Sequence, residues 1–107
     1  MPHRKTAHDY CRPPLFCPEE WREIITLAGL SPRQSQVLGL IMQSRQDKEI
    51  TTALDISHST VRTYVNEAKE RMQARDRVGL VYRAFWTFRQ EVEAKQYPWS
   101  FRSDRHR

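Results

Sequence analysis

Residues 47–65 read DKEITTALDISHSTVRTYV, and the parsing of this stretch decides the fold. Ile50, Ala53 and Leu54 fall at i, i+3 and i+4, one face of a short helix beginning near Asp47. Asp55 follows, a residue type that enters the left-handed backbone region at small cost, and it is expected to end that helix. Ser57 has the side chain to cap a second helix, and Ile56 before it can pack on Val61 as a hydrophobic staple. The staple fixes the angle at which the chain turns. The break contains no glycine and reads as a built turn between two helices, a helix-turn-helix.

The second helix carries the cleanest pattern in the chain. At ~100° per residue, Val61, Val65, Ala68 and Met72 share a narrow apolar stripe. Ser59, Thr63, Asn66 and Glu70 point the opposite way, with Arg62 and Lys69 along one flank. This face offers hydroxyl, amide and guanidinium groups rather than the Glu/Lys alternation of a merely solvated helix. Braced by the helix before it, such an element can enter a DNA major groove about 12 Å wide. There Arg can bond guanine O6 and N7, Asn can bond adenine N6 and N7, and Thr can meet a thymine methyl. Ser, Thr and Lys at the helix start and flanks, here Ser59 and Lys69 among them, suit phosphate oxygens beside the positive helix end.

Outward from this unit, residues 30–42 read LSPRQSQVLGLIM. Ser31 is placed as an N-cap, Pro32 in the first turn and Gln34 at the capping-box position. Val37, Leu38, Ile41 and Met42 supply a buried face, while Gly39 costs roughly 1 kcal/mol against Ala and points to close packing. Earlier, Pro18, Glu19 and Glu20 open a further helix whose apolar face is Trp21, Ile24, Ile25 and Ala28, ended by Gly29. After the helix-turn-helix, Asp76 can cap a last helix. Its stripe is Val78, Val81, Ala84, Phe85, Phe88 and Val92, widened by Tyr82, with Leu80 and Trp86 outside. That is more apolar surface than a small core needs, so Val81, Tyr82, Phe85 and Phe88 are expected to meet a second copy.

The chain of 107 residues suits one all-α domain with a single modest core. Three glycines, and no recurring Asn-Gly or Asp-Gly turns, argue against an all-β design. The expected organisation is an N-terminal arm over 1–17, a helical domain over 18–95 with its core at about 30–90, and a basic aromatic tail over 96–107. A net charge of +5 permits a polyanionic partner without requiring one. No apolar run approaches the ~20 residues of a membrane span and no signal-peptide pattern opens the chain, so a cytoplasmic protein with no membrane partner is expected. His3, His8, Cys11 and Cys17 lack the paired spacing of a zinc knuckle, so neither a metal nor another cofactor is expected. No nucleophile with a plausible base and no phosphate-cradling loop appears, which gives no support to an enzyme.

With LSPRQSQVL, DKEITTALDISHSTVRTYV and the later RDR in order, the sequence resembles the LuxR-type (GerE-type) DNA-binding domain of bacterial transcription regulators over roughly residues 30 to 88. The resemblance implies a four-helix bundle, here with one extra N-terminal helix. Its third helix reads DNA and its fourth pairs with a second subunit on a two-part site. It also implies that Arg62, Thr63 and Asn66 approach bases and that Lys48 and Thr60 contact phosphates, while Val61, Val65, Ile50, Ala53, Leu54 and Ile56 match the family's core. Three departures stand out. Gln34 and Gln36 replace the usual acids, Ser44 replaces a glycine, and Asn66 replaces a longer basic residue.

The expected function is therefore a sequence-specific regulator of transcription, a homodimer on double-stranded DNA, with RNA polymerase as a further partner. Residues 61–72, VRTYVNEAKERM, would also suit a promoter binder like sigma-factor region four. A rival of another class is a protein-interaction module built on the exposed helix and the aromatic last helix.

Overall fold

The computed structural model describes residues 11–93. Among them the chain forms α1 (Pro18–Ala28), α2 (Pro32–Met42), α3 (Asp47–Leu54), α4 (His58–Met72) and α5 (Arg77–Thr87), then a π-helical segment, Phe88–Glu93, and no strand. This is the expected all-helical plan, four helices with one ahead of them.

Local chemistry sets the boundaries. Ser31 Oγ accepts from Gln34 N at 3.2 Å and Gln34 Oε1 accepts from Ser31 N at 3.0 Å, a complete capping box for α2. Gly29 ends α1 at φ 71°, and Asp55 ends α3 in the same left-handed region at φ 55°. Ser57 Oγ accepts from Thr60 N at 3.1 Å, and Asp76 Oδ1 accepts from Gly79 N at 2.8 Å, starting α4 and α5.

α2 runs through the middle of the bundle. It packs on α4 and α5, and every residue from Gln34 to Ile41 is buried, not the single face expected. The third side is closed by the N-terminal segment. A Cβ on Gly39 would collide with the carbonyl oxygen of Cys11 and lie 3.0 Å from its carbonyl carbon. Gln43 Nε2 donates to that same carbonyl at 2.9 Å. The glycine thus admits a crossing stretch of backbone rather than a neighbouring helix. Further on, Phe16 is 2% exposed, its ring 6.0 Å from Trp21, 5.5 Å from Phe85 and 5.2 Å from Phe88. Burying it contributes about 1.5–3 kcal/mol, so the described end of the arm is packed on the bundle.

Two expectations about core residues are corrected. Leu80, placed outside the stripe of α5, is fully buried with Ala84, while Val78 is 77% exposed. The rotation of α5 is set by tertiary ties as well as by its own hydrophobic rhythm: Arg83 Nε donates to the Met72 carbonyl at 3.0 Å, and Phe88 is drawn onto Phe16. Ala53, assigned to the core, is exposed and lines an open cleft with Leu40, Arg45 and Lys48. An eight-residue helix has room for one inward row, and in α3 that row is Ile50 and Leu54.

Candidate nucleic-acid interface

α4 divides sharply into two faces. Val61, Val65, Ala68 and Met72 are at most 5% exposed, whereas Ser59, Arg62, Thr63, Asn66 and Glu70 are all exposed. Arg62, Thr63 and Asn66 lie within just over one turn and span about 6 Å of helix axis, the reach of roughly two base-pair steps. Thr63 Oγ1 donates back to the Ser59 carbonyl at 3.0 Å. Its hydroxyl proton is thereby used, leaving the oxygen, as an acceptor, and the methyl as the groups to offer a partner. Among the described residues neither Arg62 nor Asn66 is engaged with another side chain.

At the start of α4, Ser57 Oγ lies 2.9 Å from Thr60 Oγ1 and 3.1 Å from Ser59 Oγ. Three hydroxyls gather at a helix end whose first turn has no acidic residue, so the positive end of the helix dipole is left uncompensated. Thr60 is half-buried and serves the cap, while Ser59 is exposed. Lys48 is exposed in the first turn of α3, and Lys69 is half-buried near the far end of α4. The structure therefore gathers Arg62, Thr63, Asn66 and Ser59 on one open face, with Thr60 behind them and Lys69 at the opposite end of the helix.

On α5, Tyr82 and Phe85 are 60% and 40% exposed, while Val81 and Phe88 are half-buried against the chain's own core. Val78, Tyr82 and Phe85 form the outward apolar row. His3 and His8, and the tail over 96–107, lie outside the described residues. Cys11 is half-buried and Cys17 exposed.

Several residues that hold α4 escaped the sequence reading, because each reaches a partner far along the chain. Gln34 Nε2 donates to Glu67 Oε1 on α4 at 2.9 Å. Arg33 Nη1 approaches the carbonyl of Leu54, the last residue of α3, at 3.4 Å. Arg71 Nη1 donates to the Gly29 carbonyl at 2.6 Å, joining α4 to the end of α1. Arg77 on α5 is paired with Asp47, the first residue of α3. The one available signal was chemical. An arginine in the last turn of α4 is placed to meet a carbonyl, though which carbonyl could not be read.

The family of bacterial regulatory proteins described as luxR matches this chain over residues 28–84, more than half of its length and the whole of the helix-turn-helix. The chain belongs to the luxR family. Among its relatives, YhjB of Escherichia coli (strain K12), named as an HTH-type transcriptional regulator, is 32% identical over 68 residues, which cover 59% of this chain and 34% of YhjB. The transcriptional regulatory protein DesR of Bacillus subtilis (strain 168) is 28% identical over 71 residues, 65% of this chain and 36% of DesR. The match spans about a third of the length of these curated relatives. No solved structure matches the chain significantly. The luxR match ends at residue 84, so the Phe16 ring rests on Phe85 and Phe88 just beyond it, and two segments flanking the family core pack on one another. No described helix is long and apolar enough to cross a membrane.

Proposed function

We propose that the chain is a sequence-specific, DNA-binding regulator of transcription that lays α4 in the major groove of duplex DNA. Arg62, Thr63 and Asn66 meet base edges, and Lys48, Ser59, Thr60 and Lys69 meet phosphates. One observation carries the reading. The hydrogen-bonding face of α4 is open along its length while the opposite row is buried in the bundle. As a reader of bacterial DNA it acts in the cytoplasm, where RNA polymerase is its further partner.

The reading includes a homodimer, with a second copy on the outward face of α5. Its support is the row Val78, Tyr82 and Phe85, large apolar side chains left exposed at successive turns. Val81 and Phe88 border that row. Enrichment from a random duplex library tests both parts. A two-fold symmetric motif is the expected result, and no enrichment would remove the reader. Sedimentation of Tyr82→Asp and Phe85→Asp, expected to be monomers, tests the dimer separately.

A further inference from the structure

Two arginines on α5 reach opposite ends of the helix-turn-helix. Arg77 pairs through Nη2 with Oδ1 of Asp47, the first residue of α3. Arg83 donates from Nε to the carbonyl of Met72, the last residue of α4, at 3.0 Å. Leu80, between these ties, and Ala84, just past the second, are fully buried. The helix that bears Val78, Tyr82 and Phe85 is therefore bound to both the beginning and the end of the reading unit.

The chemistry at each tie is directional. A cation at the start of a helix faces the positive end of its dipole, and at the start of α5 the Asp76 carboxylate is turned to the Gly79 N–H as the cap. Asp47, from α3, is the carboxylate that pairs with Arg77 itself. At the other tie, the Met72 carbonyl belongs to the last turn of α4, where carbonyls lack partners within the helix, and Arg83 satisfies it. The Arg83 guanidinium also lies 4.9 Å from the Trp86 ring centroid, which limits how it can turn. The apolar row of Leu80 and Ala84 alone would let α5 rock about its contact line. Polar ties at both extremes of the unit oppose that motion.

We propose that Arg77 and Arg83 are positioning residues that set the angle and separation of the two reading helices in a homodimer, and hence the spacing of the half-sites it selects. The proposal rests on the dimeric reading above. In a two-fold dimer the separation of the readers follows from how each one sits on its dimerisation helix, and half-site spacing mirrors it. The Arg77 and Asp47 side chains are 38% and 42% exposed, so their pair adds little to stability. Their geometric role is therefore separable from folding.

The test uses the full chain on duplexes carrying two copies of its selected half-site, separated by spacers of varied length. The native protein is expected to prefer one spacing sharply. Arg77→Gln and Arg83→Gln should remain dimeric in sedimentation and keep the same half-site sequence. Their affinity ratio between the preferred spacing and its neighbours should fall by roughly threefold to tenfold. The exchange Asp47→Arg with Arg77→Asp should restore the sharp preference, showing that the pair rather than either side chain alone carries it. Melting temperatures accompany each variant, and Asp47→Asn carries the test if Arg83→Gln does not fold. A spacing preference in Arg77→Gln and Asp47→Asn as sharp as in the native protein would overturn the clamp and leave the dimeric reading standing. A native protein that selects no paired spacing would overturn both.

Discussion

Gln34 Nε2 lies 2.9 Å from Glu67 Oε1, and this bond from α2 to α4 uses the one end of the Gln34 amide that can donate. The other end, Oε1, accepts from Ser31 N in the capping box. A carboxylate at position 34 would keep the capping contact but would face Glu67 with no proton to give. Gln34 is 7% exposed, so the loss falls in a dry setting. Gln34→Glu is expected to cost about 1–3 kcal/mol at neutral pH in urea denaturation. Adding Glu67→Gln should restore most of the lost stability at neutral pH.

Gly39→Ala sets helix propensity against a backbone crossing. Alanine gains about 1 kcal/mol in a helix interior. Here its Cβ must displace the Cys11 carbonyl and would lie 3.5 Å from Trp21 Cζ2. Displacing packed backbone costs about 1–3 kcal/mol or more, so net destabilisation is expected. Limited proteolysis should show residues 11–17 cleaved faster. A raised melting temperature with unchanged proteolysis would show that this crossing is not rigid.

Ser44 stands at φ 63°, a conformation that disfavours side chains with a Cβ. Its N–H donates to the Ile41 carbonyl at 2.9 Å, which holds the turn between α2 and α3 in that shape. Ser44→Gly is expected to be neutral or to stabilise by up to about 1 kcal/mol, the relief of strain exceeding the added freedom of the unfolded chain. Ser44→Val, branched at Cβ, should lower stability by about 1–2 kcal/mol. Thermal melts of the pair decide it. Equal effects of the two would contradict the left-handed assignment.

What was legible in the sequence was what neighbours enforce. The caps at Ser31, Ser57 and Asp76 and the stops at Gly29 and Asp55 each depend on atoms within four residues, and they stand where the sequence puts them. The alternating four- and three-residue rhythm of α4 was equally readable, since its buried row repeats without interruption. The rotation of α5 was not, because Leu80 and Val78 are both good candidates for a core. Arg83, Phe16 and the ties to α4 choose between them. Gly39 advertised a close approach but not its partner, 28 residues earlier at Cys11. On the candidate site, the outward residues of α4 followed from periodicity. The residues that hold α4 in place, such as Gln34 and Arg71, act through contacts 33 and 42 residues long, which no local pattern encodes.

In the proposed DNA-binding role, Arg62 and Lys48 give the sharpest contrast between reading and anchoring. Both are exposed cations, one on the flank of the outward face of α4 and one in the first turn of α3. A guanidinium that bonds a base edge in two places discriminates among bases, so Arg62→Ala is expected to cost about 1–3 kcal/mol on the selected site and to relax preference at one position. An ammonium on a phosphate carries no sequence information. Lys48→Ala should weaken binding to all duplexes alike and reduce the slope of log K against log salt by about 0.9. Gel-shift titrations at several salt concentrations, on the selected site and on its single-base variants, separate the two behaviours. If Arg62→Ala leaves the base preference intact while Lys48→Ala alters it, the assignment of the two roles is reversed. α3 rather than α4 would then lie nearest the bases.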